Sequence, residues 1–380
     1  MAQKLRTDWI LFSTVVLMVL FGALMIYSAS SVVADIRMGS SYYFALRQLI
    51  WIAIAVPLMM FMKRLNYRKL QTPAVAFTSM GLVMLLLAVV YFADPKQHRW
   101  IRFGPFGGLQ PSEFAKPALT LFLAYFIALR SRAINSRYTL LPAFLALGFV
   151  TIAVALADLG TAIVLGATAA AVFIVAGLER RYIIITCMIA VFGGAVFIAA
   201  KPYRLVRVIR YVDPEMKMVD RFDTSGWIRA QMKKSITAKD TNYQAEQAKI
   251  AVGSGGPFGV GLMQGRQKLF YLPEAHTDTI YAVVGEEFGL FGSVALLVGF
   301  VIILWRGIRA TVLIPDEFGR YLALGVTTMM VFQAFFNMSV VLGMMPTKGI
   351  PLPMISFGGS SLLVTLASLG ILLNVSEHAG

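Results

Sequence analysis

Ten apolar runs constrain this chain more than anything else in it: 9–27, 45–62, 74–93, 113–129, 140–157, 159–178, 182–200, 279–304, 320–343 and 358–375. Each is about long enough to cross a hydrocarbon core as a helix. A backbone in lipid must satisfy its own hydrogen bonds, so the runs read as transmembrane helices. The composition agrees, with 58% hydrophobic and 14% charged residues, unlike a soluble domain of this length. The expected fold class is an all-α integral membrane protein of ten spans, forming a single polytopic domain over 1–380. The single cysteine, Cys187, excludes an intramolecular disulfide and a thiolate metal cluster. His98, His276 and His378 stand too far apart for a zinc motif, so no protein metal site is expected.

Lys4 and Arg6 precede the first run, which is long enough to be retained as a span rather than cleaved as a leader. The basic residues then set the orientation. Lys63, Arg64, Arg68 and Lys69 follow the second span, Arg130, Arg132 and Arg137 the fourth, Arg180 and Arg181 the sixth, and Arg306, Arg309 and Arg320 the eighth. Positive loops stay in the cytoplasm, which places both termini inside. The net charge of +15 therefore matters by its position, and no nucleic-acid partner is expected. One segment runs against the pattern. Residues 201–278, between spans seven and eight, would lie outside and yet are rich in Lys and Arg, which the orientation rule tolerates in a long loop. Over 201–239 this reads either as an amphipathic helix on anionic headgroups or as a surface that gathers a membrane-held polyanion. The glycines of Gly253-Ser-Gly-Gly256 and Gly259-Val-Gly261 read as a flexible turn or as backbone that approaches an anion.

Several polar residues fall at the ends of spans. Tyr271-Leu-Pro-Glu-Ala-His-Thr-Asp278 closes the polar segment, and Asp278 either caps the next helix or acts in chemistry. The loop 94–112 carries Arg99, Trp100 and Arg102, residue types that anchor an interface. Glu113 and Lys116 share a helix face at i, i+3, either as an ion pair or as functional groups. Asp158, in Asp158-Leu-Gly-Thr161, interrupts an apolar region and can cap the next span. Glu286 and Glu287 lie inside span eight and cannot both face lipid as anions. The loop 345–361 carries three prolines and Lys348, and such backbone must be buried in protein or line a cavity. Lys116, Asp158, Asp278 and Lys348 converge on the outer membrane face, which points to an outward site.

With these residues in order, the chain resembles the SEDS family of bacterial cell-wall polymerases. The resemblance rests on Tyr27-Ser-Ala-Ser30, Arg99-Trp100, Gln110-Pro-Ser-Glu-Phe-Ala-Lys116, Asp158-Leu-Gly-Thr161, the 271–278 segment, Gly285-Glu-Glu287, Pro346-Thr-Lys-Gly349 and Ile355-Ser-Phe-Gly-Gly-Ser-Ser361. Pro346-Thr-Lys-Gly349 leans to the division-type branch over the elongation-type one. The resemblance implies a multi-pass protein of the bacterial cytoplasmic membrane that polymerises lipid II into glycan strands at the outer face. It also implies a class B penicillin-binding protein as partner, among other divisome or elongasome proteins. It gives Asp278 as the catalytic residue, here the general base. Lys116, Lys348, Arg99 and Arg102 would hold the pyrophosphate, with Asp158, Glu113, His276 and Ser360 as further substrate-binding candidates. No cofactor is assigned from the sequence, and a divalent cation, Mg or Mn, stays open as a partner of the pyrophosphate. Two other classes stay open, a transporter of lipid-linked precursors and a non-catalytic scaffold for a transpeptidase. A transporter would place polar groups through the full depth of the bundle, an enzyme at its outer end.

The orientation has a direct test. In a Cys187→Ser background, Asp240→Cys should react with an impermeant thiol reagent on intact cells. Reaction only after permeabilisation would reverse the topology.

Overall fold

The computed structural model describes residues 7–94, 99–102, 108–199, 236–346 and 349–379, with 205, 208–209 and 211–212. Lys348 and most of 201–235 lie outside these residues, so the expectations placed there are not addressed. The described helices are α1 (Trp9–Met38), α2 (Tyr43–Arg64), α3 (Pro73–Ala93), α4 (Pro111–Leu129), α5 (Arg137–Ala157), α6 (Leu159–Val175), α7 (Arg180–Ala199), α8 (Ile236–Ser254), α9 (Ile280–Leu313), α10 (Glu317–Val341) and α11 (Gly359–His378). A two-stranded antiparallel hairpin, β1 (Ile101–Arg102) with β2 (Gly108–Leu109), sits between α3 and α4. Nine described helices are long and apolar enough to cross a membrane, and the chain is a multi-pass membrane protein. The expected tenth span coincides with α6, which is apolar but has only 17 residues. Within the basic segment α8 runs over Ile236–Ser254, and it packs along α9.

Most of α4, α10 and α11 is buried, while α7 has no buried residue. Helix starts follow from local chemistry. Asp8, Thr72, Ser136, Asp158 and Asp316 each accept a backbone N–H of the first turn they precede. Pro73 and Pro111 occupy the first turns of α3 and α4, where a missing N–H costs nothing. Close approach between helices depends on small residues. At Gly370 of α11, a Cβ would lie 2.4 Å from the Met59 carbonyl of α2.

Two helices differ from the sequence reading, for connected reasons. α1 continues past Tyr27 to Met38, because Ser28 and Ser30 are buried in it rather than ending it. Ser30 Oγ donates to the Ile26 carbonyl, and Ser28 Oγ reaches Glu287 Oε1 at 2.6 Å. α9 is broken at Gly289, whose φ of 64° and ψ of −155° are open to glycine alone. The glycine-rich stretch packs into this break. Leu290 N donates to Gly256 O at 2.9 Å, and Val260 N and Gly261 N donate to the carbonyls of Glu286 and Glu287, both at 3.0 Å. A Cβ at Gly259 would fall 2.1 Å from Glu287 O. These glycines therefore serve close backbone packing, and the N–H groups of Val260 and Gly261 are spent on α9 rather than offered to an anion.

The adjacent glutamates resolve their conflict by facing different partners. Glu287 pairs with Lys268 at 2.5 Å and accepts from Ser28, all three side chains being buried. Glu286 accepts the backbone N–H groups of Arg266 (2.7 Å) and Gln267 (3.1 Å). Lys268, counted with the basic outer surface in the sequence, is thus an internal cation. Together these contacts staple the segment 255–268 to α9 and α1, and that segment leads directly into 271–278. Lys268→Met leaves Glu287 buried without its cation, and should destabilise the protein by about 3–5 kcal/mol. Adding Glu287→Gln should recover most of the loss. Thermal unfolding of the two variants in detergent checks both outcomes.

Candidate active site

At one end of the bundle β2 and the residues flanking the hairpin, the segment 271–279, the segment 349–361 and the start of α2 enclose a cavity of about 590 Å³. Asp278, Thr277 and His276 line it, with Arg47 and Trp51 from α2, Arg99 and Trp100 just before β1, Gln110 before α4, and Ser360 and Ser361 in the first turn of α11. Arg47 packs its guanidinium over the Tyr43 ring, 4.5 Å from the centroid.

The two irregular segments are fixed carbonyl by carbonyl. In the first, His276 O accepts from Phe357 N at 2.9 Å, Thr277 O from Ser356 Oγ, and Asp278 O from Asn337 Nδ2 at 2.8 Å. In the second, Gly349 O accepts from Arg99 Nη2 at 3.2 Å, Ile350 O from Asn337 Nδ2 at 2.7 Å, and Pro351 O from Gln333 Nε2 at 2.8 Å. Backbone with neither helix nor sheet partners needs such replacements where water is excluded. The motif glycines admit neighbours. A Cβ at Gly359 would meet the Trp51 indole at 2.0 Å, one at Gly160 the Ile350 side chain at 2.4 Å, and one at Gly349 the Asp278 carboxylate at 3.0 Å.

The candidates from the sequence divide between this cavity and the walls behind it. Asp278, Arg99, His276 and Ser360 line the cavity. Asp158 stands behind Arg99. It accepts from Arg99 Nη2 at 3.0 Å, caps α6 through Gly160 N and Thr161 N, and takes Thr161 Oγ1 at 3.0 Å. Capping and the ion pair are therefore combined in one carboxylate. Arg102 is exposed on β1 and is not part of the lining. Lys116, expected to hold phosphate, is 2% exposed and outside the lining. Its ammonium is engaged by Glu113 Oε2 at 2.8 Å and Gln333 Oε1 at 2.6 Å. A buried charge needs such partners, and Glu113 is spent in providing one. Among the described residues no three His, Cys, Asp or Glu side chains group as metal ligands.

Arg47, Trp51 and Gln110 were missed as site residues. An arginine inside an apolar run is the signal that singles out Arg47, and Trp51 follows at i+4 on the same helix face.

The Asp278 carboxyl is pushed up to about 6, chiefly by burial, with the Glu274 charge adding to the shift. Hydrogen bonds from its own backbone and from Thr277 Oγ1 at 3.1 Å, and the Arg99 charge, oppose it. Burial pushes the His276 imidazole down, so it is neutral at pH 7. The site thus couples a carboxylate that ionises just below neutrality with guanidinium groups on the same cavity wall.

The sequence profile of the FtsW/RodA/SpoVE family, described as cell cycle protein, matches residues 8–380. The chain is 37% identical to the probable peptidoglycan glycosyltransferase FtsW of Geobacter metallireducens, over 98% of this chain and 95% of that protein. It is 36% identical to stage V sporulation protein E of Bacillus subtilis, over 99% of each. Among solved structures, it aligns at TM-score 0.76 and 28% identity with a chain of a peptidoglycan synthase complex that coordinates polymerization and crosslinking, over 99% of both chains. It also aligns at TM-score 0.67 and 26% identity with the rod shape determining protein RodA of Thermus thermophilus, over 99% of this chain and 98% of that one.

Proposed function

This chain belongs to the FtsW/RodA/SpoVE family of cell cycle proteins, and from that premise we propose how its cavity works. The protein is a peptidoglycan glycosyltransferase of cell-wall synthesis. The proposed substrate is lipid II, a disaccharide-peptide on a polyprenyl pyrophosphate. The cavity would then open at the outer face of the bacterial cytoplasmic membrane, with both termini inside.

The observation that carries the assignment is the Asp278 carboxylate on the wall of a cavity that also holds Arg47 and Arg99. Glycosyl transfer breaks the bond from the anomeric carbon to the pyrophosphate and joins that carbon to an acceptor hydroxyl. Asp278 takes the hydroxyl proton as general base. A carboxyl that ionises near pH 6 is charged at neutral pH yet basic enough to accept a proton. Arg47, with Arg99 already oriented by Asp158, offsets the charge of the departing pyrophosphate. Trp51 and Trp100 offer aromatic faces to the sugar rings, and Gln110, Ser360 and His276 offer polar contacts for orientation. Lys348 remains part of the proposed phosphate set, and Lys116 moves from substrate contact to support. A divalent cation on the pyrophosphate would take its oxygens chiefly from the phosphates.

The proposed partner is a class B penicillin-binding protein, in keeping with the synthase complex to which the chain is similar. A transport path would need polar groups along the depth of the bundle. Glu286, Glu287 and Lys268 lie away from the cavity lining and are occupied with one another's surroundings, which favours the enzyme over a carrier.

Asp278→Asn tests the base. Glycan-strand formation from labelled lipid II in detergent should fall by about 10²–10⁴-fold. In the unmutated protein the rate should fall as pH drops through about 6, as the base becomes protonated. A variant that polymerises near the parent rate would remove Asp278 from this role. Stability should move the other way. The folded value lies above the ordinary carboxylate value of 3.8, so the contribution of this group is full below that value and is lost as pH rises through about 6. Asp278→Asn should therefore unfold at a higher temperature than the parent at pH 7.5, with the difference shrinking at pH 5.

A further inference from the structure

Lys116, Gln333 and Asn337 are all buried, at 2%, 1% and 1% exposure, and none lines the cavity. Their hydrogen bonds nevertheless lead to the two segments that form its wall. Gln333 and Asn337 are four residues apart on α10, hence on one face and one turn apart along the axis. Gln333 holds Pro351 O, and Asn337 holds Ile350 O and Asp278 O with one amide nitrogen.

We infer that Asn337 and Gln333, with Lys116 behind them, are positioning residues that set the Asp278 carboxylate in the cavity. They act through backbone carbonyls and do not touch substrate.

The direction of each amide follows from what it faces. An ammonium only donates and a carbonyl only accepts. Lys116 Nζ, 2.6 Å from Gln333 Oε1, therefore requires the oxygen on its own side and turns Nε2 toward Pro351 O. Glu113 keeps the ammonium charged and in place. Asn337 faces two carbonyls at 2.7 and 2.8 Å, so its nitrogen must lie between them, and both of its hydrogens are used. This nitrogen is the link between the peptide of Asp278 and the segment 349–351. Gly349 in turn packs against the carboxylate, where even a Cβ would come within 3.0 Å of Oδ2. The carboxylate thus sits between two segments that this amide joins at Asp278 itself. Phe357 N on His276 O and Ser356 Oγ on Thr277 O join them further back. Pro351 has no N–H and this stretch has no strand partner, so the side-chain amides provide what secondary structure would otherwise provide.

A packing role alone would make these residues matter for folding and leave the chemistry of the folded protein untouched. Positioning predicts a different signature. A base displaced by about 1 Å costs on the order of 10²-fold in rate while substrate binding elsewhere in the cavity persists.

This inference rests on Asp278 as the base, and the test separates the two. Asn337→Leu and Gln333→Met remove the donors while nearly keeping volume. Glycan-strand formation by the full-length chain is measured with labelled lipid II across pH, giving kcat, KM and the acid limb, beside thermal unfolding. The expected result is a fall in kcat of about 10- to 100-fold with KM within about twofold. In Asn337→Leu the acid limb should also move down from about 6 toward the ordinary carboxylate range, as the loosened segment lets water reach Asp278. Folded variants that keep the parent kcat and the parent limb would overturn the inference. Gln333→Met, which leaves both Asn337 bonds in place, carries the test if Asn337→Leu does not fold. If the parent shows no acid limb, the base assignment fails, and the split between kcat and KM in the variants still decides whether these amides position the reaction.

Discussion

Water is scarce inside a bundle of membrane-crossing helices, so each polar group must find its partner within the protein. The architecture around the cavity follows from that scarcity. Asp8, Glu113, Asp158 and Glu287 each meet a cation at 2.5–3.0 Å. Glu286 is served by backbone N–H groups. Six carbonyls in two segments without regular structure are held by side chains or by each other's backbone. Among the described residues Asp278 has no cation within salt-bridge distance, unlike those four carboxylates, and lacks the pair of loop N–H groups that Glu286 has. Its ionised form is favoured, among the described residues, by the Thr277 hydroxyl, its own backbone and the charge of Arg99. A group held short of its ordinary solvation is reactive, and the hydrogen bonds that fix the backbone on either side keep it from relaxing.

The spans were legible because lipid imposes a coarse rule on sequence. Hydropathy located α2, α3 and α5 to within a few residues, and the position of Asp278 before an apolar helix pointed to the cavity wall. What stayed hidden was pairing. Nothing local distinguishes Lys116, which is sealed inside, from a lysine that faces a cavity, since the difference lies in Gln333, which is distant in sequence. Lys268 looked like one more charge in a basic loop and is the partner of Glu287. The glycines of 253–261 read as a flexible turn or an anion cradle and are packed on the break at Gly289. Polar Ser28 and Ser30 looked like the end of a span and lie inside a longer helix. In each case the residue type was informative and the partner decided its meaning.

The cavity takes its geometry from elements with separate duties. α4 and α10 hold the rear, the hairpin brings Arg99, and α2 brings Arg47 and Trp51. The segment after α8 is fixed by ionic contacts before it reaches Asp278. This division explains why the site reads poorly as a linear motif and well as an assembly. The same chain segment can be a helix cap and an ion-pair partner at once, as Asp158 is, because one carboxylate has lone pairs for both.

α7 lies at the opposite extreme from this crowded end, with no buried residue among Arg180–Ala199. Apart from Tyr182, Ile183 and Phe197, which pack against the core, its side chains are asked chiefly to be apolar and to continue the helix. Its individual side chains carry little information, whereas Gln333, Asn337 and Glu287 are each tied to particular atoms. The chain should therefore diversify at two speeds. Across descendants, α7 can exchange Ile, Val, Leu and Phe almost freely, while the polar face of α10 must change in concert with its partners or stay as it is.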